Sequence, residues 1–532
     1  MKTLSTSISL YRAGLRVIGQ RRQLSTPTST FPNIPKSIAE NLSTRFKITS
    51  PNDAQTALIP PALSGRDIVF RSITGSGKSI TLVAIAASKL EKKQPSSQPN
   101  HVQTVLLSPT RELAVQLYQW TTQLLEHHDA DYIKKHVQVI LNGLDRTEQT
   151  SRLQKSTPSI LIGTPLRILE LVDDGVLDLS KVETLVLDEV DYLIREASPK
   201  ASVREKFRNT IHPKPSETLV QKIVHLRRPE LIENEQPITP KSQSPKMPSM
   251  PKKPVVAVAQ SRTPFQIIAT SATLPAFLYE SLVKRRKWLK NPLLLDMTST
   301  GETSPPNISH HVLTVREDGT TRDLYDSSQE DALPIDELEM ALPDADDLVI
   351  DAVVDIIKRD NIQSAMLFVS SSVALGPILD KLNAAGIPSD KLIRQVEWSD
   401  FGIEVHATAR DSEPQKEAGT VEGTMSSTTK AAVVSDTTAK TAPFASFTSG
   451  DNIRVLVATE HAARGLDMPN ISHVFILGPP ISPTSYFHMA GRTGRFGRRG
   501  TVITVLSGRR YSERVLKMLK SLQLSTGMLK KV

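Results

Sequence analysis

Between about Pro51 and Leu295, short runs of consecutive aliphatic residues alternate with longer stretches of helical periodicity. "DIVFRS", "VQTVLLSPT", "HVQVILNG", "SILIGTP", "VETLVLDEVD" and "FQIIATSAT" are unbroken enough to be strands covered on both faces. "KSITLVAIAASKLEKK" and "RELAVQLYQWTTQLLEHH" read as helices between them. Such alternation predicts a parallel sheet sandwiched by helices. From about Asn307 the pattern resumes with "SAMLFVSS", "IRVLVATE", "HVFILGPP" and "TVITVLSG", so two α/β domains of related type are expected. The strands end in Ser, Thr, Asp and Gly, and in sheets of this kind chemistry gathers at the strands' carboxyl ends.

Three stretches lack core periodicity and read as disordered insertions. One spans about 197–260, and its centre, Gln236–Pro254, has Lys and Pro but no acid. It reads as a plain linker, with contact to a nucleic-acid backbone as the alternative. Residues 317–347 are acidic and turn-rich, and 407–450 are dominated by Thr, Ala, Ser, Glu and Lys. The chain therefore divides into an N-terminal domain over 25–300, a linker with the second domain's first strand and the acidic insertion over 301–347, and a C-terminal domain over 348–532.

Composition narrows the chemistry. The 532 residues contain no cysteine, which excludes disulfides, thiolate zinc sites and a cysteine nucleophile. Only 5% are aromatic, so the cores must be aliphatic. No apolar run reaches the roughly 18 residues of a membrane span. The net charge of +9 is concentrated in residues 1–24, which hold Lys2, Arg12, Arg16, Arg21 and Arg22 and no acid. Whole-chain charge is thus a weak argument for nucleic acid. In that segment Leu4, Ile8, Tyr11, Leu15 and Ile18 share one helical face, flanked by Arg12 and Arg16. This is the make-up of a mitochondrial transit peptide cleaved after Leu24. A disordered basic tail or a nucleic-acid-binding arm is the alternative.

"SITGSGKS", residues 72–79, follows a strand and opens a helix, the setting of a phosphate loop. Gly75 and Gly77 let backbone N–H groups approach phosphate, Lys78 supplies charge, and the Ser79 hydroxyl suits Mg²⁺. Ser72 stands where the usual pattern has glycine, and a Gly-rich turn before a helix is the competing reading. An aliphatic strand ending in Asp188-Glu189 suits a metal-holding carboxylate followed by one that orients or deprotonates water; a solvated acidic turn is the alternative. In "YFHMAGRTGRFGRRG", Arg492 and Arg495 suit arginine fingers reaching a γ-phosphate, whereas Arg498 and Arg499 read as backbone-phosphate contacts.

In this order the motifs resemble those of the DEAD-box ATP-dependent RNA helicases, from about residue 31 to 510. Phe31 and Gln55 in "PNDAQ" match the family's adenine-reading element. "SITGSGKS", "PTRELA" (Pro109–Ala114), Asn142-Gly143, "TPLR" (Thr164–Arg167), "DEVD" (Asp188–Asp191), "SAT" (Ser271–Thr273), "LFVSSS", "VATEHAARGLD" and "HMAGRTGR" follow. The family's first phosphate-loop position is small rather than glycine, which accounts for Ser72.

The resemblance implies two RecA-like domains with ATP and RNA bound across their cleft. It implies an ATP site of Phe31, Gln55, Ser72, Ile73, Thr74, Gly75, Ser76, Gly77, Lys78, Ser79 and Asp467, with Mg²⁺ at Ser79 and Asp188. It places RNA, held by its backbone without sequence specificity, at Pro109, Thr110, Arg111, Gly143, Thr164, Arg167, Thr459 and Arg464. Coupling between the sites falls to Ser271, Thr273, Asp191 and His488. Val190 for alanine leaves both working acids intact, but Met489 stands where the family has arginine and Glu460 where it has aspartate. The presequence, "DEVD" and long insertions look similar to fungal mitochondrial helicases. This leads to an expected mitochondrial matrix enzyme of RNA metabolism, with mitochondrial ribosomal particles as partners. An ATP-gated RNA clamp with little unwinding and a DNA translocase of the same build are the rivals.

Overall fold

Burial explains the strands. In β2 (Thr104–Leu107), β3 (Val137–Ile140), β4 (Ile160–Gly163), β5 (Thr184–Leu187) and β6 (Gln266–Ser271) every residue is buried, because helices cover both faces. The computed structural model describes residues 31, 33–93, 101–197, 202–229, 264–298, 307–316, 318–323, 346–392, 454–460, 471–495, 498–507, 512–522 and 524. The 1–24 segment, Gln236–Pro254, 407–450, Arg464 and Asp467 lie outside these.

With β1 (Ile68–Arg71) and β7 (Leu293–Asp296), the first sheet has the order β3-β4-β2-β5-β6-β1-β7, all parallel. Its helices are α1 (Lys36–Phe46), α2 (Asp53–Leu63), α3 (Lys78–Lys92), α4 (Arg111–Leu124), α5 (Ala130–His136), α6 (Arg146–Lys155), α7 (Pro165–Asp173), α8 (Val190–Leu193), α9 (Val203–Ile211), α10 (Pro215–Arg227) and α11 (Ala276–Glu280). The second sheet runs β11-β12-β10-β13-β14-β8-β9. Its strands are β8 (Ile308–Val315), β9 (Thr321–Asp323), β10 (Ser364–Val369), β11 (Ser389–Lys391), β12 (Arg454–Thr459), β13 (His473–Leu477) and β14 (Gly500–Ser507). Its helices are α12 (Asp347–Arg359), α13 (Leu375–Ala384), α14 (Pro483–Ala490) and α15 (Ser512–Ser521). Aliphatic clusters lie on both sides of each sheet, giving the two α/β domains expected from the pattern, of the RecA-like type that the resemblance implies.

Two details differ from the sequence reading. The edge strand β9 pairs antiparallel with β8, so the start of the acidic stretch 317–347 is sheet rather than loop. Its turn is set by Asp318, whose carboxylate accepts from Thr320 N. The span read as an insertion from about 197 is helical over α9 and α10. Leu219, Val220, Ile223 and Val224 of α10 are buried in the core at helical spacing. Beyond its end, the buried Arg228 donates to Asp67 Oδ1 at 2.8 Å, and Asp67 also accepts from Ile267 N and Lys290 N. Removing the span 197–260 would therefore strand the buried Asp67 charge beside β1.

Candidate functional site

Strand order sorts the predicted residues into two groups. The neighbours β5, β6 and β1 deliver Asp188-Glu189, Ser271–Thr273 and the 72–79 loop to one stretch of the sheet edge. The neighbours β3, β4 and β2 deliver Gly143, Thr164 and Thr110-Arg111 to the next.

In the first group the chain leaves β1 with Ser72 N donating to Ser271 O, which anchors the loop to β6. Gly75 and Gly77 take φ of +79° and +80°, a conformation that suits glycine. Gly77 opens α3, and the following Lys78 side chain curls back, its Nζ donating to Ser72 O and Ile73 O at 2.8 Å each. Burial lowers the Lys78 pKa, while the carboxylates of Glu189, Asp188 and Asp191 oppose that shift. Asp188 accepts from Ser79 Oγ at 2.6 Å and from Thr270 Oγ1 at 2.8 Å. Burial, then the charge of Glu189, pushes the Asp188 pKa up to about 6. Glu189 adopts a left-handed φ of 55°, a strained state for a long side chain, and its Oε2 is buried with no hydrogen-bond donor. A hydroxyl bonded to a buried carboxylate, next to a second carboxylate with an undonated oxygen, fits a hard divalent cation such as Mg²⁺.

Beside this loop, Asn52 caps α2 and its Nδ2 donates to Ser76 O at 3.1 Å. Gln55 completes the capping box, its Oε1 accepting from Asn52 N at 3.0 Å. The amide predicted to meet a base is thus buried with its oxygen already holding the helix start. Its Nε2 faces Gly77 so closely that a methyl group there would stand 3.1 Å from it. Phe31 is buried in the adjoining core.

The second domain closes on this group through α14. His488 is buried, with Nε2 3.4 Å from Asp191 Oδ2 and Nδ1 3.7 Å from Glu189 Oε2. Asp191 also accepts from Thr273 Oγ1 at 2.5 Å, and Ser271 Oγ donates to Thr273 O. Burial raises the Asp191 pKa, but the hydrogen bond and charge from His488 and the hydroxyls of Thr273 and Ser271 outweigh it and hold it at about 2. All four expected coupling residues therefore meet. Arg492 Nε donates to His488 O at 2.9 Å, and its charge acts on Lys78. Arg495 Nε donates to Gly491 O at 3.1 Å, and the Arg495 stem lies beside Gly75. Met489 is buried in the second domain's own core.

The second group flanks a cleft of about 370 Å³, which Asn142 lines but neither Gly143 nor Arg167 does. Pro109, Thr110, Arg111 and Thr164 all face it. Arg111 donates to Asn142 O at 3.3 Å and Arg167 Nε to Asn142 Oδ1 at 3.3 Å. Gly143 has φ +88°, and a side-chain carbon there would collide with the Arg111 guanidinium. The Thr164 hydroxyl is buried without a hydrogen-bond partner. Thr459 ends β12 in the other sheet and does not line this cleft.

A family model described as DEAD/DEAH box helicase matches residues 52–281, and one described as helicase conserved C-terminal domain matches 403–497. This chain belongs to the DEAD-box ATP-dependent RNA helicases. The ATP-dependent RNA helicase DbpA of Bacillus subtilis is 24% identical over 459 residues, covering 86% of this chain and 67% of that protein. DEAD-box ATP-dependent RNA helicase 47, mitochondrial, of Arabidopsis thaliana is 33% identical over 169 residues, covering 30% of each. Among solved structures, Mss116p bound to ssRNA and AMP-PNP superposes with a TM-score of 0.61 at 18% identity, over 93% of this chain and 76% of that one. That superposition shows a shared two-domain fold.

Sequence reasoning missed three residues of this helicase's cleft region. The buried Gln149 of α6 accepts from Leu141 N and donates to Leu141 O and Leu144 O, fixing the loop that carries Asn142 and Gly143. Its only sequence signal is a polar residue on the inner face of a helix. Lys214 and Tyr192 line the far wall, where the Lys214 ammonium lies 4.5 Å from the Tyr192 ring centroid and donates to Tyr192 O. No spacing rule connects those two positions.

Proposed function

We propose that this helicase couples ATP binding and hydrolysis to local opening of RNA duplexes, or to remodelling of RNA–protein particles, in the mitochondrial matrix. Mitochondrial ribosome assembly or genome maintenance is the setting we favour. The observation that carries the reading is the junction at Lys78: three carboxylates from one domain meet His488 and Arg492 from the other around one buried ammonium.

In this reading Phe31, Gln55, Ser72–Ser79 and Asp467 hold ATP. Lys78 exchanges its two carbonyl partners for phosphate oxygens. Ser79 and Asp188 hold Mg²⁺, which when bound supplies Lewis-acid polarisation of phosphoryl oxygen. Glu189 orients the attacking water and takes its proton on Oε2. Arg492 and Arg495 reach the γ-phosphate from the second domain, so hydrolysis requires closure. Pro109, Thr110, Arg111, Gly143, Thr164, Arg167, Thr459 and Arg464 hold an RNA strand by its backbone, which fixes register without reading sequence. Asp191, Thr273, Ser271 and His488 link the two sites. Support for the mitochondrial setting comes from the basic, acid-free 1–24 segment and from the Arabidopsis relative whose name includes mitochondrial.

A duplex-release assay with ATP tests the enzyme reading. Lys78→Ala and Glu189→Gln are each expected to abolish unwinding, and unwinding that survives in both defeats it. The buried Met489, in place of the family's arginine, favours a second reading as an ATP-gated RNA clamp. That reading requires ATP-dependent RNA retention by the wild-type chain with no strand release. Sequencing of RNA crosslinked to the helicase in isolated mitochondria tests the compartment and identifies the substrate.

A further inference from the structure

Far from the cleft, three potential metal ligands converge. Glu91 lies in the last turn of α3, and His127 and His128 lie in the turn between α4 and α5. His127 Nε2 is 3.1 Å and His128 Nε2 2.5 Å from the same oxygen, Glu91 Oε1. The candidate ligand atoms all fall within 4.8 Å of one another. Separations of about 3.3 Å are what two donors have when each sits about 2.0–2.1 Å from a tetrahedral Zn²⁺. The observed spacing needs only a small outward movement of His128.

The trio is held from several sides. His128 N donates to Leu125 O at 2.9 Å, which fixes the turn, and Asp129 caps α5 immediately afterwards. The His128 ring stacks on Tyr132 with centroids 3.9 Å apart and planes 18° apart, and tilts against His127 at 4.3 Å. Asn41 of α1 donates to Leu124 O at 2.9 Å, which holds the end of α4. All three ligands are partly exposed, with side-chain exposures of 27%, 27% and 19%, so an ion has an entry path and water can complete the coordination.

We propose that Glu91, His127 and His128 form a site for a divalent transition ion of the Zn²⁺ class. Two imidazoles and one carboxylate, with an open fourth position, suit Zn²⁺ and not the all-oxygen preference of Mg²⁺ or Ca²⁺. The ion ties the end of α3, which begins at Lys78, to the end of α4, which begins at Arg111. It thus clamps the two helices that start at the phosphate loop and at the cleft lined by Thr110 and Arg111. No part of this depends on the activity proposed above.

The test is calorimetric titration of the full chain with ZnCl₂, without nucleotide or RNA, alongside His127→Ala/His128→Ala, His127→Gln/His128→Gln and Glu91→Gln. The wild type is expected to bind one Zn²⁺ equivalent that both double variants lose. Glu91→Gln should weaken binding on the order of 10–100-fold. Saturating Zn²⁺ should raise the wild-type Tm by about 5 °C and leave the folded double variants unmoved. Co²⁺ in place of Zn²⁺ should give the visible bands of a four-coordinate ion. The proposal is overturned if the wild type takes up no Zn²⁺. It also fails if uptake is unchanged in the variants, which would place the ion elsewhere, the other carboxylate–histidine group among the described residues being Glu189, Asp191 and His488. If both double variants fail to fold, an unchanged Zn²⁺ affinity in Glu91→Gln is the overturning result.

Discussion

Asp188 has the clearest conflict between function and stability. Its carboxyl is buried and its pKa stands at about 6, against an ordinary 3.8. The folded chain therefore holds a proton that the unfolded chain releases between these values, and stability falls as pH rises from about 4 to about 6. Above pH 6 the ionised group costs about 2–3 kcal/mol. Asp188→Asn removes this charge and keeps an acceptor for Thr270 and Glu189 N. Denaturant melts at pH 7, without Mg²⁺ or nucleotide, should show the variant more stable by about that amount, with the difference vanishing near pH 4. Its ATP hydrolysis should be lost. A variant less stable than wild type at pH 7 would show that hydrogen bonding, not charge, dominates at this position. Much of this residue-scale chemistry was readable: "SITGSGKS" and "DEVD" pair by covalent order and known roles. The left-handed Glu189 backbone was not, because nothing in a glutamate announces a positive φ.

The elements were legible wherever burial is uniform. Six aliphatic runs became β1 to β6, since only a strand covered on both faces tolerates an unbroken apolar run of that length. Where burial is one-sided or brief the reading failed. Neither the three-residue β9 nor α10, whose apolar stripe of Leu219, Val220, Ile223 and Val224 is short, stands out from loop-like neighbours. Gly163 illustrates a constraint that belongs to the element alone. Its φ is not left-handed, yet a Cβ there would stand 2.2 Å from the backbone oxygen of Ile140 on β3. Gly163→Ala must push β3 and β4 apart just before Thr164. It should destabilise the N-terminal domain by about 1–3 kcal/mol in a chemical melt and weaken RNA binding more than ATP binding. An unchanged midpoint would mean that the strand ends are free to move.

At the scale of the whole molecule, one glycine decides how closely the domains meet. Gly491 has an ordinary helical φ, so nothing local requires glycine. A Cβ there would lie 2.1 Å from Thr74 Oγ1 and 2.6 Å from Thr74 Cβ, across the domain junction. Gly491→Ala should leave the melt of the nucleotide-free chain unchanged and lower RNA-stimulated ATP turnover at least about tenfold, as displacing a catalytic group by about 1 Å does. The double variant Gly491→Ala/Thr74→Gly, which removes both the hydroxyl and the Cβ of Thr74, should recover part of the rate. No loss in the single variant would mean that active closure leaves more room than this structure does.

By itself, the order of residues determined the strands, the phosphate loop and the acidic strand end, because each depends on contacts within a strand, a turn or a helix, and the order of its motifs gave the family. Only the tertiary structure decided that β5, β6 and β1 lie side by side, how closely Asp191 approaches His488 nearly 300 positions away, and that a side chain at Gly491 would meet Thr74. Those outcomes depend on how strands order and how two domains close, and no local spacing encodes a contact whose partners come together only after the sheets have formed.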